Sequence, residues 1–437
     1  MVEATIETAL TLPCGVKLKN RLAKAAMTEG VGDTFNRATE RHATLYSRWA
    51  QGGAALLITG NIMVDRRYLE RPGNVAIDGP QSNEQISMLA TYAQSATDNG
   101  AHIWAQLSHA GRQSPKIVAS EPVGPSAVPI ALPGGQFATP RALTGAEIDD
   151  LITRFADAAV TVKEAGFTGV QIHAAHGYLI SEFLNPLVNQ RTDEWGGSLE
   201  NRARLLVDCV TSTRARVGSG FPISVKLNSS DFQKGGFSFA ECLDVVAMLN
   251  AAGVDLLEIS GGSYEQPAMM GLEGMEPAHE EFATRGVSER TKAREAYFLT
   301  YAEKVSETAA MPVMVTGGFR SRDAMDAAIA SGAVDVIGVA RPLCVDTDAP
   351  ADLLSGKIQK FIAWEDQLAL GPGIFGPKSS IDAIKAVNGF GAMAFFYQNI
   401  FRLADGLDAD RKMGLLGAFI RHQRHEAKAA KALEGRP

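Results

Sequence analysis

Alternation is the feature that most constrains this chain. Short apolar runs at Leu22–Ala26, Ala54–Thr59, Ala101–Leu107, Gly169–His173, Ile223–Leu227, Leu256–Ile259, Val313–Thr316 and Val334–Val339 are each followed by a stretch with helical periodicity. Between Ala146 and Ala165, for example, Ile148, Leu151, Ile152, Phe155, Ala159 and Val162 share one helical face. Segments 84–99, 201–217, 239–252, 291–309 and 321–330 repeat the theme. Gly100, Gly166, Gly253 and Gly332 stand where a left-handed cap would close four of these helices. Strands this continuously apolar are buried on both faces, which requires a parallel sheet covered by helices. Eight such units is the number that closes a barrel. The rival, a doubly wound open sheet, would carry GxGxxG after its first strand, and no such motif follows Leu22–Ala26. The expected fold is an α/β (β/α)8 TIM barrel over residues 1–349, with a helical C-terminal extension over 350–437.

Charge and cysteine usage remove several function classes. The 42 basic and 49 acidic side chains leave a net charge of −7 with no basic stripe, which argues against nucleic acid. No apolar run approaches the roughly 20 residues of a membrane helix. The first ten residues hold Glu3 and Glu7 and lack a leader pattern, so the expected compartment is the cytoplasm. Cys14, Cys209, Cys242 and Cys344 stand far apart without a CxxC pair, so neither a disulfide framework nor a metal cluster is expected. The longest insertion, Ser108–Thr144, is rich in Gly, Pro and Ser and reads as a loop or hairpin beside the third strand. In the extension, residues 380–405 concentrate Phe390, Phe395, Phe396, Tyr397, Ile400 and Phe401. Residues 413–433 carry Arg421, Arg424, Lys428 and Lys431 along one side. These helices read either as packing on the barrel with a solvated basic face, or as a subunit interface or active-site wall.

Barrels of this class place their chemistry at the C-terminal ends of the strands. Those positions hold Met27 and Thr28, Gly60 and Asn61, Gln106, then His173, His176 and Tyr178. Lys226 and Asn228, Ser260 to Gly262, Gly317-Gly318 and Ala340-Arg341 complete the circuit. So few carboxylates fit a paired-acid hydrolase or a magnesium site badly. Abundant donors and glycines suit a large planar ligand that carries a phosphate. Gly317-Gly318 and Arg341 follow the seventh and eighth strands, where barrels commonly bind phosphate. Each alone is as compatible with a turn or an ion pair; together they favour the anion. His173-Ala-Ala-His176-Gly-Tyr178 admits satisfied structural histidines, a metal site short of its third ligand, or a donor pair on a carbonyl oxygen with Tyr178 as proton donor.

The run from His173 to Arg202 closely resembles the old yellow enzyme family of FMN-dependent ene-reductases. Leu18-Lys-Asn-Arg-Leu22, Ala105-Gln-Leu-Ser-His-Ala-Gly-Arg112, Val315-Thr-Gly-Gly318 and Gly338-Val-Ala-Arg-Pro342 match it in the family's order, from about Leu10 to Cys344. The resemblance implies that Ala25, Ala26, Met27 and Gly60 contact the isoalloxazine, that Thr28 bonds its C4 carbonyl and that Gln106 bonds its pyrimidine edge. Lys226, where relatives commonly have Arg, would stand beside N1–C2, and Gly317, Gly318, Ala340 and Arg341 would hold the phosphate. His173 and His176 would bind the substrate oxygen, and Tyr178 would protonate the α-carbon; phenols, with an ordinary pKa of about 10, keep their proton at neutral pH. Implied with these are noncovalent FMN, NADPH or NADH as hydride donor, and a small activated alkene as acceptor. A homo-oligomer through the C-terminal helices is a further expectation. Ala26 replaces a usual proline, and Gly30 replaces a substrate-contacting tyrosine of some relatives, so the pocket is expected to be wider there. The cysteine cluster and second nucleotide domain of dienoyl-CoA-reductase-like relatives are missing. The remaining readings are oxidative demethylation or nitro reduction on the same flavin barrel, a phosphate-sugar lyase or isomerase, and a non-enzymatic FMN-binding scaffold.

Overall fold

The computed structural model describes residues 4–130, 132, 135–260, 299 and 301–434. Eight parallel strands form the barrel: β1 (Leu22–Lys24), β2 (Leu56–Met63), β3 (His102–Ser108), β4 (Gly169–Ala174), β5 (Ile223–Asn228), β6 (Leu256–Ser260), β7 (Val313–Thr316) and β8 (Val336–Val339). Sequence neighbours pair in order, and closure comes from β1, which bonds β8 through Leu22↔Ile337 and β2 through Ala23↔Leu56. The alternation of side chains then sorts the strands into two cores. Ala23, Leu56, Met314 and Val336 point inward, with Trp104 and the hairpin residue Leu18 in the same cluster. Leu22, Leu57, Val315 and Ile337 point outward against the helices.

Among the described residues, the helices over the barrel include α1 (Glu40–Gln51), α2 (Asn83–Thr97), α3 (Gly145–Glu164), α4 (Leu199–Val217), α5 (Phe239–Ala252) and α6 (Arg322–Ala330). Ser82, Thr144 and Ser238 start α2, α3 and α5, each accepting from the backbone of a Gln or Glu three residues on. The expected stripe on α3 faces inward, with Ile148, Leu151, Phe155, Ala159 and Val162 buried. Gly100, Gly166, Gly253 and Gly332 all adopt positive φ, from +69° to +91°. The expected helix over 291–309 lies mostly outside the described residues; 301–308 are helical.

Two local features matter for the site. β2 continues past Thr59 to Met63 through a register shift between Ile58 and Asn61, which puts Gly60 at the irregularity. The described residues of the insertion after β3 form a loop with a short turn at Gly111–Gln113; Val123–Gly124 pairs in parallel with Arg141–Ala142, and Pro115 makes an isolated antiparallel bridge to Phe137.

The extension packs as α7 (Asp382–Ala404) and α8 (Leu415–Glu434), which contact each other while α7 lies on α1. Phe395, Phe396, Ile400 and Phe401 enter the same core cluster as the barrel's outer residues. Arg41 and Arg48 of α1 pair with Asp405 and Asp408 at 2.7 and 2.9 Å. Arg421, Arg424, Lys428 and Lys431 are exposed, as the solvated-face reading expects. Among the described residues no helix is long and apolar enough to cross a membrane.

Candidate active site

β4 delivers the densest group of polar rings. Its last residues aim His173 inward, and the turn that follows holds His176 at φ +64°, a left-handed conformation uncommon outside glycine. The backbone of that turn is held: His176 N–H donates to Asn228 Oδ1 at 3.2 Å, and Gln113 Nε2 donates to the His176 carbonyl at 2.9 Å. The rings of His173 and His176 lie 5.1 Å apart, and His173 lies 4.9 Å from Tyr178, which is 2% exposed. Burial, then each other's charge and that of Lys226, keep the His173 pKa well below the usual histidine value; burial and Lys226 do the same for His176. Both rings are therefore neutral near pH 7. His173 Nδ1 accepts from Ala175 N–H at 3.2 Å, which leaves the proton on Nε2 as a donor. His176 Nε2 meets Ser260 Oγ at 2.6 Å.

Across the barrel mouth, the sequence-expected ring contacts join a buried chain. Gln106 Nε2 donates to Gln171 Oε1, and Gln171 Nε2 donates to Glu258 Oε2, both at 2.8 Å. Lys226 Nζ pairs with Glu258 at 2.9 Å, with side chains 5% and 0% exposed. Gln171 and Glu258 were not singled out from sequence. The available signal was a lone carboxylate inside the apolar strand Leu256–Ile259, since a buried charge needs a partner.

Ala25, Ala26, Met27 and Thr28 leave β1 as a loop pressed against β2. A side chain at Gly60 would meet the Met27 carbonyl at 2.5 Å and Thr28 Cα at 2.7 Å, so only glycine permits this approach. Beneath the loop, Lys24 Nζ donates to the Ile58 carbonyl at 2.6 Å and to Tyr46 Oη at 2.9 Å. Tyr46 donates to Glu29, which also accepts from Gly60 N–H at 2.8 Å. Burial pushes Lys24 down to about 8.

At the ends of β7 and β8, Gly317 and Gly318 take φ +116° and +83°, which glycine reaches without penalty, and the N-terminus of α6 follows. Arg341 pairs with Glu365 at 3.5 Å, and the same carboxylate takes Arg320 at 2.6 Å. Two guanidiniums thus converge on one carboxylate. Arg320 and Glu365 were also not foreseen. Ala340 precedes Arg341 with φ −122° and ψ −88°.

Arg71 stands beside Gly30. A Cβ at Gly30 would sit 3.6 Å from Arg71 Nη1 and 3.7 Å from Arg71 Cδ, so the arginine lines the gap that the missing side chain leaves. Arg71 stacks on Tyr397 of α7 at 4.0 Å and pairs through Nη2 with Glu426 of α8 at 3.0 Å. The aromatic helix thus packs on the barrel and also borders the site. Neighbouring Glu70 is within hydrogen-bonding reach of the Thr28 hydroxyl, and burial raises its pKa.

Several buried polar atoms at strand ends have no hydrogen-bond partner among the described residues: Asn61 Oδ1, Ser108 Oγ, Ser229 Oγ and Thr316 Oγ1. Such atoms are costly to bury unless a ligand or water meets them.

A family model described as NADH:flavin oxidoreductase / NADH oxidase matches residues 11–359. An NADH-dependent flavin oxidoreductase of Hypocrea jecorina is 37% identical over 374 residues, covering 81% of this chain and 90% of that one. A cinnamate reductase of Clostridium sporogenes is 31% identical over 375 residues, covering 79% of this chain and 52% of that one. The solved old yellow enzyme homologue of Zymomonas mobilis superposes with a TM-score of 0.67 at 26% identity, covering 82% of this chain and 94% of the other.

Proposed function

The chain belongs to the NADH:flavin oxidoreductase / NADH oxidase family, that of the old yellow enzymes, and from that premise we propose that it reduces activated alkenes. It is an FMN-dependent oxidoreductase that takes hydride from a reduced nicotinamide. The residues present fit FMN. Orphaned Asn61, Ser108, Ser229 and Thr316 atoms, with Gln106 and Lys226, offer polar contacts at the strand ends. Gly317, Gly318, Ala340 and the Arg320–Arg341 pair offer the phosphate end. Bound FMN would supply hydride storage and transfer.

What carries the alkene reading is the β4 group. Two neutral imidazoles can donate to a carbonyl oxygen without binding it as a fixed counter-ion, so their bonds strengthen as negative charge develops there. Tyr178 lies 4.9 Å from His173 by ring centre and is 2% exposed, which supports a phenol acting in this group where water is scarce. Its role is to hand a proton to the α-carbon. Lys226, tied to Glu258, keeps a positive charge beside the chain of amides that ends at Gln106. Thr28, shared with Glu70, polarises the rim near Gly60. That one relative is a cinnamate reductase supports the same reaction class.

The test is a visible spectrum before and after anaerobic NADH, followed by enones. Bleaching by NADH with recovery on an enone is expected. Bleaching with recovery only on nitro compounds or oxygen would sink the alkene reading and keep the flavin one.

A further inference from the structure

Arg71 has no part in the chemistry described above, yet the fold invests heavily in holding it. The residue is 7% exposed. Its guanidinium carbon lies over the Tyr397 ring, 4.0 Å from the centroid, and Tyr397 is itself stacked on His422 at 5.0 Å and 9°. Nη2 carries the protein contacts, to Glu426 at 3.0 Å and His422 Nε2 at 3.4 Å. Nη1 is buried and has no hydrogen-bond partner among the described residues. It is the Arg71 atom nearest the missing side chain of Gly30, and Gly30 sits two residues beyond Thr28 at φ +67°.

The loop that carries Arg71 is tied to the β4 group. Leu69 packs in one small cluster with Tyr178, Met63 and Ala110, and Leu433 of α8 closes against it. Ser114 Oγ donates to the Leu69 carbonyl at 2.8 Å, while the adjacent Gln113 holds the His176 carbonyl at 2.9 Å. Leu69, two residues before Arg71, thus shares a packed cluster with Tyr178. A charged donor left unfilled in such a place is expensive, whereas one filled by an anion gains a charge-assisted bond. Burial works against the guanidinium's charge, but Tyr397, Glu426 and Glu70 outweigh it and hold its pKa above the usual arginine value. Glu426 occupies the far nitrogen, so the near one offers a single-sided grip that suits a compact carboxylate.

We propose that Arg71 Nη1 binds an anionic group of the substrate and that the preferred acceptor is an alkene bearing a carboxylate. This deepens the alkene-reductase reading and rests on it for the reaction. Recognition itself can be read without turnover.

The experiment uses the FMN-loaded full chain, with trans-2-hexenoate and trans-2-hexenamide as probes in titration calorimetry. Wild type should bind the acid about 10- to 100-fold tighter than the amide, and Arg71→Gln should erase that preference. In turnover, the ratio of kcat/KM for hexenoate to that for trans-2-hexenal should fall by a similar factor. An acid bound no better than the amide by wild type would overturn the proposal without any variant, should Arg71→Gln fold poorly. A preference that survives in Arg71→Gln would overturn it equally. If NADH fails to bleach the protein, the reaction reading is lost, while the calorimetric comparison still decides the role of Arg71.

Discussion

On the β4 side of the pocket, His173 and His176 are kept neutral by burial; at Gly30, Arg71 is kept charged by Tyr397, Glu426 and Glu70. The β4 donors come from one strand and the turn after it. The arginine is clasped by helices more than 300 residues further along the chain. Neutral donors discriminate between ground and transition states, because their bonds strengthen only as charge appears. A permanent cation binds an anionic ligand in both states. Losses on the β4 side should therefore appear in kcat, and losses at Arg71 mainly in KM.

Tyr178→Phe is the most severe way to break the contrast. It keeps the ring in its cluster and removes only the hydroxyl. Enone-dependent reoxidation should fall by roughly 10²–10⁴-fold, and reduction by NADH, which needs no proton from a phenol, should slow far less. Stopped-flow measurement of the two half-reactions checks this. Equal slowing would make Tyr178 a packing residue and move the acid elsewhere.

His176→Ala should weaken phenol-like ligands by about 10- to 100-fold, read by titration of the flavin spectrum. Ser260 bonds the same imidazole, so Ser260→Ala should produce a smaller change in the same direction. If Ser260→Ala matched the histidine variant, the serine would be the direct ligand.

Stability sharpens the comparison from the other side. Glu426→Gln leaves Arg71 buried with its counter-charge removed, and should cost about 1–3 kcal/mol by urea denaturation. Asp150→Asn breaks the exposed Arg154 pair and should cost less than about 0.5 kcal/mol. Similar losses in the two variants would show that the clasp is no more than a surface contact.

The smallest effect is acid sensitivity. Burial, then the Arg71 charge, lowers His422 to about 4, and burial holds His42 and His109 of the barrel at about 4 as well. Below the ordinary histidine pKa the unfolded chain binds protons that the folded chain refuses. Stability is therefore fully present above about 6.5 and drains away as pH falls toward 4. His422→Gln should reduce the slope of the urea midpoint against pH between 6.5 and 4, leaving the share from the other buried histidines, His42, His109, His173 and His176 among them. An unchanged slope would place His422 in contact with solvent.

Much of the site was legible where its logic is local. His173, His176 and Tyr178 lie within six residues, and the strand that carries them is an apolar run of standard length. Gly60 was legible as a strand-end glycine, but its reason, a loop 2.5 Å from where a Cβ would stand, was not. Arg341 looked like a phosphate ligand or an ion pair; the fold makes the ion pair and adds Arg320 on the same carboxylate. The basic side of α8 dominated the sequence pattern and is exposed, while its inner His422 and Glu426 passed unnoticed.

Hydrophobic periodicity reports how each segment meets the core, and that was enough to determine the eight strands, the closed barrel, and the strand ends where the chemistry gathers. Periodicity says nothing about which polar side chain will be buried against which. Lys226 with Glu258, Arg320 and Arg341 with Glu365, and Arg71 with Tyr397 and Glu426 were decided by tertiary structure alone. In an open chain each of these charges is solvated and indistinguishable from a surface residue. Only when distant elements close over it does removal from water oblige it to find a partner, and at Arg71 Nη1 none of the described residues supplies one.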